Sequence, residues 1–330
     1  MLRNMLLAAL AGSLSASLAF AQEAQPQVGA SPWGPKDQLG PLNLMTDSSR
    51  LAVLSRISHG KVYDLSVEYF VGMPSWHGIG DPRYQYWLTH TPRGATIDDP
   101  MKVGRKGNEH VSYTGDAISL YTHMGTHIDA LNHFGLNGAI YNGFKADEHL
   151  GDQGWKVAGA ETIPPIVARG VMIDVAAAKG VAMLPDKYRV TRADLVDALR
   201  RQKLSLRKGD VVLVRTGRMK LYESDHAYEA DAPGLTLEAA RFMVEEGGAI
   251  SVGADNMSFE AFPSDVEGNY VPVHTYLLAQ QGVTLMELVN LEALAADQVY
   301  EFVFIGASLK LRGASAAPMR PIAIPLRPER

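Results

Sequence analysis

The chain has 330 residues, with 31 Lys and Arg against 36 Asp and Glu for a formal net charge of −5, and it contains no cysteine. That balance leaves no basic stripe to neutralise phosphates, which argues against nucleic acid or an anionic lipid surface as a partner. With no disulfide available, a core drawn from the 46% hydrophobic residues must hold the fold, as one large domain of this length can.

The first residues read as targeting. Arg3 supplies a short positive region, residues 5–18 are apolar and small, and Ala19-Phe20-Ala21 forms an A-x-A cleavage site before Gln22. The run is short for a bilayer span and no stop-transfer pattern follows it, so a retained anchor is the weaker reading. A signal peptide at residues 1–21 and a single domain over residues 22–330 are expected, with the mature chain periplasmic or secreted and free of the membrane.

Residues 31–46 (SPWGPKDQLGPLNLMT) are turn-rich, with Trp33 as anchor. A helix is expected over residues 48–58 with Leu51, Leu54 and Ile57 on one face, then a strand over 61–71 broken by Gly72-Met73-Pro74. The long loop 76–107 carries Trp76, Tyr84, Tyr86 and Trp87, which read either as pocket lining or as packing within the loop itself.

After a strand expected over residues 118–121 comes YTHMGTHIDALNHF, which holds three of the ten histidines, His123, His127 and His133, together with Asp129. In an extended strand, residues two and four apart share a face, so His123, His127 and Asp129 converge as ordinary ligands for a divalent cation. A helical reading also pairs His123 with His127, as in HExxH enzymes, but it leaves Asp129 well round the helix. Gly125, Thr126 and Ile128 would also make a poor helix interior. Buried histidines satisfied by hydrogen bonds are the plainer alternative.

The segment from His123 to His133 resembles the HxGTHxDxxxH signature of the metal-dependent cyclase family, which includes bacterial kynurenine formamidases and isatin hydrolases. The opening at residues 31–46 is similar to that family's WGxxDxxGxLNLLT start. NGAIYNG at residues 137–143 is similar to its GxxYNG segment.

Further along, GVMIDV (170–175) is a buried-strand pattern, and Thr191 with Asp194 forms a capping box that opens a helix reaching Arg201. Residues 211–214 are a continuous apolar strand ending in Arg215-Thr216-Gly217, which matches the family's GDxVLxRTG. Arg215 can fix a substrate carboxylate or hold a loop through an internal ion pair, and the structural role is favoured. A helix over residues 237–246 and a strand over 249–253 follow, the latter ending at Asp255-Asn256 with Glu260 beyond, a GADNxxxE pattern that the family shares. This alternation indicates an α/β fold with a mixed sheet. With no P-loop and no GxGxxG, a nucleotide cofactor is not expected.

His274 opens a helical pattern that stops at Gly282, and residues 283–287 (VTLME) form a strand, a region that resembles the family's VHxxLLxxxGVxxxENLNLEEL. By that match His274 and Glu287 are the distal metal ligands. Leu288 departs from the usual Asn, which puts the support of Glu287 in question. Glu287 in an apolar run would otherwise be a buried unpaired charge, unless it lies on an exposed alternate face. The chain's ending, RGASAAPMRPIAI, resembles GxxGSPxRPxAI, with Ala316 and Ala317 in place of Gly and Ser.

The resemblance spans nearly the whole mature chain and implies the swivelling β/β/α cyclase-like fold, usually as a homo-oligomer. It implies one or two Zn or Mn ions on His123, His127, Asp129, His274 and Glu287, with His133 as proton donor. The implied activity is hydrolysis of an amide, an aryl-formamide or a cyclic amide. A metal-containing binding protein without turnover, or a lactone or imide hydrolase, is the alternative. Trp76, Tyr84, Tyr86, Trp87 and Phe134 are the aromatics expected around the substrate.

Overall fold

Short Val- and Ile-rich runs bounded by turn residues become the spine of a nine-stranded mixed sheet. The structure is a computed structural model that describes residues 26–99, 101–229 and 231–327; the expected signal peptide lies outside them. In chain order the strands are β1 (Tyr63–Asp64), β2 (His127–Asp129), β3 (Ile166–Asp174), β4 (Val211–Arg215), β5 (Ser251–Ala254), β6 (Thr284–Glu287), β7 (Glu301–Gly306), β8 (Ala316–Pro318) and β9 (Ile322–Pro325). Across the sheet they run β1, β9, β7, β3, β4, β5, β6, β2, β8. Strands β3 to β6 are mutually parallel in the centre. The flanks are antiparallel: β7, β9 and β1 on one side, β2 and β8 on the other.

The central strands are apolar on both faces because both are covered, as parallel strands require. Val212, Val214, Val252, Ala254 and Leu285 face one core. Val211, Leu213, Met172, Met286 and Ile128 face another that is closed by Phe302 and Phe304. Each buried Val, Leu, Ile, Met or Phe among them contributes roughly 1.5–3 kcal/mol of transfer free energy.

Of the helices, α1 (Asp47–Leu54) starts at a Thr46 capping box and α2 (Arg192–Gln202) at the expected Thr191–Asp194 box. Helix α3 (Leu237–Arg241) runs on into a π turn at Phe242–Glu246. Helix α4 (Pro272–His274) continues through Thr275–Gln281 to a left-handed Gly282. Leu195 and Leu199 of α2, Ala239 and Ala240 of α3, and Leu277 and Leu278 beyond α4 fill the first core. No helix among the described residues is long and apolar enough to cross a membrane.

Three sequence expectations need correction. In α1 it is Val53 that is buried, while Leu51 and Leu54 are 68% and 37% exposed. The helix ends before Ile57, which instead bridges to Leu326 and packs beside Val53. The strand expected over residues 61–71 is only Tyr63–Asp64, because beyond it Leu65 N donates to Pro321 O and Val67 N to Thr126 Oγ1. The strand expected just before the histidines is Gly115–Ser119, and it pairs with Gln85–His90 in a separate hairpin.

Candidate metal centre

In the antiparallel pair of β6 and β2, Glu287 lies opposite His127 and Leu285 opposite Asp129. Directly paired residues point to one face, as do residues two apart, so this register alone brings His127, Asp129 and Glu287 together. That face carries Leu285 into the first core, while Ile128 and Met286 turn to the other. The cluster sits where the parallel strands end in their carboxyl termini, the usual place for a site in an open α/β sheet.

His123 reaches the same point by a different route from the one expected. It lies on a turn, not on β2. Gly125 adopts φ +57°, and a Cβ there would come within 2.3 Å of the Tyr69 ring, so only glycine fits. The Tyr69 hydroxyl donates to Met124 O (2.8 Å) and Thr126 Oγ1 donates to Leu288 O (2.6 Å), fixing the turn. The turn swings the His123 ring inward, with Nδ1 2.8 Å from Asp129 Oδ1 and Nε2 2.9 Å from Ser315 Oγ.

The His127 Nδ1–H donates to Gly125 O (2.8 Å), which leaves Nε2 facing Asp129 Oδ1 at 3.5 Å and Glu287 Oε2 at 3.6 Å. His274 Nε2 is 3.4 Å from Glu287 Oε1 and 4.0 Å from Asp129 Oδ2. His133 Nε2 is 3.9 Å from Asp129 Oδ2, its ring 3.9 Å from that of His123. The donor atoms form two sets that share one carboxylate: His123, Asp129 and His133, and Asp129, His274 and Glu287. All six residues named from the sequence therefore converge. His133, expected as proton donor, also stands at ligand distance.

Burial and charge set the protonation. Burial opposes the imidazolium of His274, but hydrogen bonds to Glu260 and Glu287 and the charges of both outweigh it and push the group up to about 10. His127 is likewise opposed by burial and held above its ordinary value by Asp129 and Glu287. His133 goes the other way: burial, with the neighbouring His123, His274 and His127 charges, holds it well below the ordinary range against the pull of Asp129. Burial raises Asp129, yet the surrounding histidines bring its carboxyl well below the usual range. Glu287 is raised, chiefly by burial.

A divalent ion fits this donor set. His127 Nε2 and both Asp129 carboxylate oxygens are buried without a hydrogen-bond partner among the described residues, which costs free energy unless something else satisfies them. Neutral imidazoles and carboxylates are the ligands that Zn and Mn accept, and Asp129 has an oxygen for each of two ions.

Glu260, noted in the sequence without a role, is 1% exposed and accepts the N–H groups of Val273 (3.2 Å) and His274 (3.1 Å). Its Oε1 also lies 2.5 Å from His274 Nδ1, so this carboxylate aims His274 Nε2 at the centre. Nothing local in sequence links two residues fourteen apart across a loop and a helix start. Ser315, which holds His123, carried no signal beyond its place in the C-terminal segment.

The two departures from the family pattern are absorbed by backbone. Leu288 N donates to Asn256 O (3.1 Å) while its carbonyl takes the Thr126 bond, which secures the chain beside Glu287. Ala316 and Ala317 continue β8 opposite Asp129 and Ile128.

Arg215 and Asp255 hold loops. Arg215 pairs with Glu292 through Nε and Nη2 (2.8 and 3.0 Å) and with Asp174 through Nη1 (2.9 Å). Asp255 accepts from Thr216 N, Thr216 Oγ1 and Gly217 N, although burial pushes its carboxyl up to about 6.

The expected aromatics separate. Tyr86 and Trp87 are each 47% exposed on the hairpin. Tyr84 is buried in an apolar cluster against which Trp76 and Tyr121 pack. Phe134 lies beside the centre, its ring centroid 4.3 Å from His133 and 5.0 Å from His274.

A mixed sheet that gathers buried imidazoles and carboxylates at the carboxyl ends of its parallel strands defines an α/β protein with a centre suited to divalent ions. The chain belongs to the cyclase family: residues 63–261 match the Cyclase family model. It is similar to Cyclase-like protein 3 of Oryza sativa subsp. japonica, 26% identical over 269 residues that cover 80% of each chain. Among solved structures, a novel cyclase superposes with a TM-score of 0.78 at 28% identity, covering 88% of this chain and 95% of that one. Isatin hydrolase A from Labrenzia aggregata, bound to benzyl benzoate, shares the fold with a TM-score of 0.57 at 20% identity over 81% of this chain and 94% of that one.

Proposed function

We propose that this chain is a metal-dependent hydrolase that cleaves an amide C–N bond in an aryl-formamide or a cyclic amide. One observation carries the reading: buried donor atoms on His123, His127, Asp129, His274 and Glu287 converge, and His127 Nε2 and the Asp129 carboxylate oxygens have no hydrogen-bond partner among the described residues. The fold shared with an isatin hydrolase supports a cyclic amide as substrate.

Bound Zn or Mn at these residues would supply a Lewis acid that polarises the scissile carbonyl and acidifies water. The protein's own contribution is orientation and proton movement. His127 is fixed by the Gly125 carbonyl and His274 by Glu260, so neither imidazole has to reorganise. His133 lines a pocket, and burial keeps it neutral at neutral pH. Its Nε2 can then take a proton from the attacking water and return it to the departing nitrogen. Met124 and Leu288, next in sequence to His123 and Glu287, are buried with Met257 in one apolar cluster.

The test is a panel of formanilides, lactams, imides and lactones presented to Zn- or Mn-loaded protein. The expected result is turnover of an aromatic amide that disappears, along with the metal, in His127→Ala. Tight binding of one compound with no turnover of any would favour the binding-protein reading. Export and self-association remain part of the proposal. The half-exposed Tyr86, Trp87 and Leu88 of the hairpin support a homo-oligomer, which a single-chain mass by light scattering would rule out.

A further inference from the structure

The pocket beside His133 has a volume of about 540 Å³, the size of a small-molecule site. Its walls include the Tyr121 and Trp155 rings, the Asn132 and Gln153 amides, and Arg312. Tyr121 lies over the centre, its ring 5.0 Å from that of His123. Asn132 is 3% exposed, and its Oδ1 has no hydrogen-bond partner among the described residues.

Arg312 is exposed at this wall, and the backbone that follows it is held by close contact with a second turn. Trp155 N donates to Gly313 O (3.2 Å), Ala160 N to Ala314 O (3.0 Å), and Gly313 N to Glu161 Oε2 (2.8 Å). A Cβ on Gly313, which has φ +72°, would meet Trp155 O at 2.6 Å, and one on Gly154 would meet Gly313 O at 2.7 Å. The turn bearing Arg312 is therefore locked against the turn bearing Gln153 and Trp155.

On this frame Arg312 carries the permanent charge of the pocket. No carboxylate is among the described residues lining it, and the guanidinium has no hydrogen-bond or ion-pair partner among the described residues. Most other arginines of the fold are paired, such as Arg169 with Asp210 and Glu301, Arg192 with Glu246, and Arg320 with Asp64.

We propose that Arg312 is a specificity residue that receives a carboxylate on the substrate, so that the amide presented to the centre belongs to an aromatic acid. The inference rests on the hydrolase reading above. A guanidinium offers paired N–H donors in the plane a carboxylate needs, and the two rings supply the flat walls an aromatic body fills. This carboxylate is distinct from the one that amide cleavage creates, which forms at the centre itself.

The experiment compares N-formylanthranilate with its methyl ester, which has the same ring and formamide but no charge, on wild type, Arg312→Ala and Arg312→Lys with metal content measured in each. The acid-to-ester ratio of kcat/KM should fall about tenfold or more in Arg312→Ala, carried by KM, with partial recovery in Arg312→Lys. An unchanged ratio overturns the proposal. Calorimetry of anthranilate and methyl anthranilate on the metal-loaded proteins separates the two readings. If neither formamide is cleaved, the aryl-formamide form of the hydrolase reading fails, and the binding comparison decides alone. Selective weakening of anthranilate by Arg312→Ala supports the anion site, and equal affinities reject it.

Discussion

His127 and Glu287 face each other across the antiparallel pair β2–β6, with Nε2 and Oε2 3.6 Å apart and the imidazole wholly buried. Asp129 and Glu287 together hold His127 above its ordinary value against its burial, and His274 is pushed up to about 10 by Glu260 and Glu287. A ligating imidazole nitrogen must be unprotonated, so an entering ion competes with these protons. At about 10, His274 still holds its proton at neutral pH. Metal uptake should therefore release protons, and affinity should strengthen as pH rises from about 6 to 9. Calorimetric titration of Zn into the metal-free protein, in buffers of different ionisation enthalpy, counts the protons. Buffer-independent heats would contradict the assignment.

The carboxylate of Glu260 fixes the His274 tautomer from behind. In Glu260→Gln the amide cannot accept from Val273 N, His274 N and His274 Nδ1 as the carboxylate does. Metal affinity should fall roughly 10- to 100-fold while the far-ultraviolet circular dichroism is retained. Competition with a chromophoric chelator reads the affinity directly, and a wild-type value would reduce Glu260 to a loop support.

Much of this centre could be read before any coordinates. The apolar runs at β3, β4, β5 and β6 each had the length and β-branched content of a buried strand, and Glu287 within one of them was already an anomaly needing a partner. Alternation correctly joined His127 to Asp129, because β2 spans both. It gave His123 the right destination by the wrong path, since the glycine turn over Tyr69 has no periodicity to detect. Glu260 and Ser315 were hidden for the same reason, as each meets its histidine through tertiary contact. Tyr86 and Trp87 misled because aromatic content does not say which way a hairpin projects, whereas the wall residue Trp155 sat in a turn with no motif.

The sequence favoured loop support over substrate contact for Arg215, and its three bonds to Asp174 and Glu292 agree with support. Its side chain is 6% exposed and that of Asp174 3%, so removing the cation leaves a buried carboxylate uncompensated. Arg215→Met should lower stability by about 3–5 kcal/mol, with the urea midpoint falling at unchanged slope. A loss of activity at full stability would instead restore the substrate-contact reading.

His133 is the residue on which ligation and proton transfer must be told apart. It shares Asp129 with the ligand set, yet its side chain is 19% exposed where the others are nearly sealed, and it borders the pocket from which a substrate would come. Burial and the neighbouring imidazoles hold it well below the ordinary histidine value, and a bound cation would lower it further. The neutral base therefore persists through neutral pH, and kcat/KM should stay flat there, falling only well on the acid side of about 6.5. His133→Asn should reduce kcat by roughly 10²- to 10⁴-fold while leaving the metal stoichiometry intact, and it should remove that acid limb. Elemental analysis of the purified variant beside its pH–rate profile distinguishes the roles. Loss of one ion would make His133 a ligand, and a profile like that of the wild type would leave the proton transfer to another group.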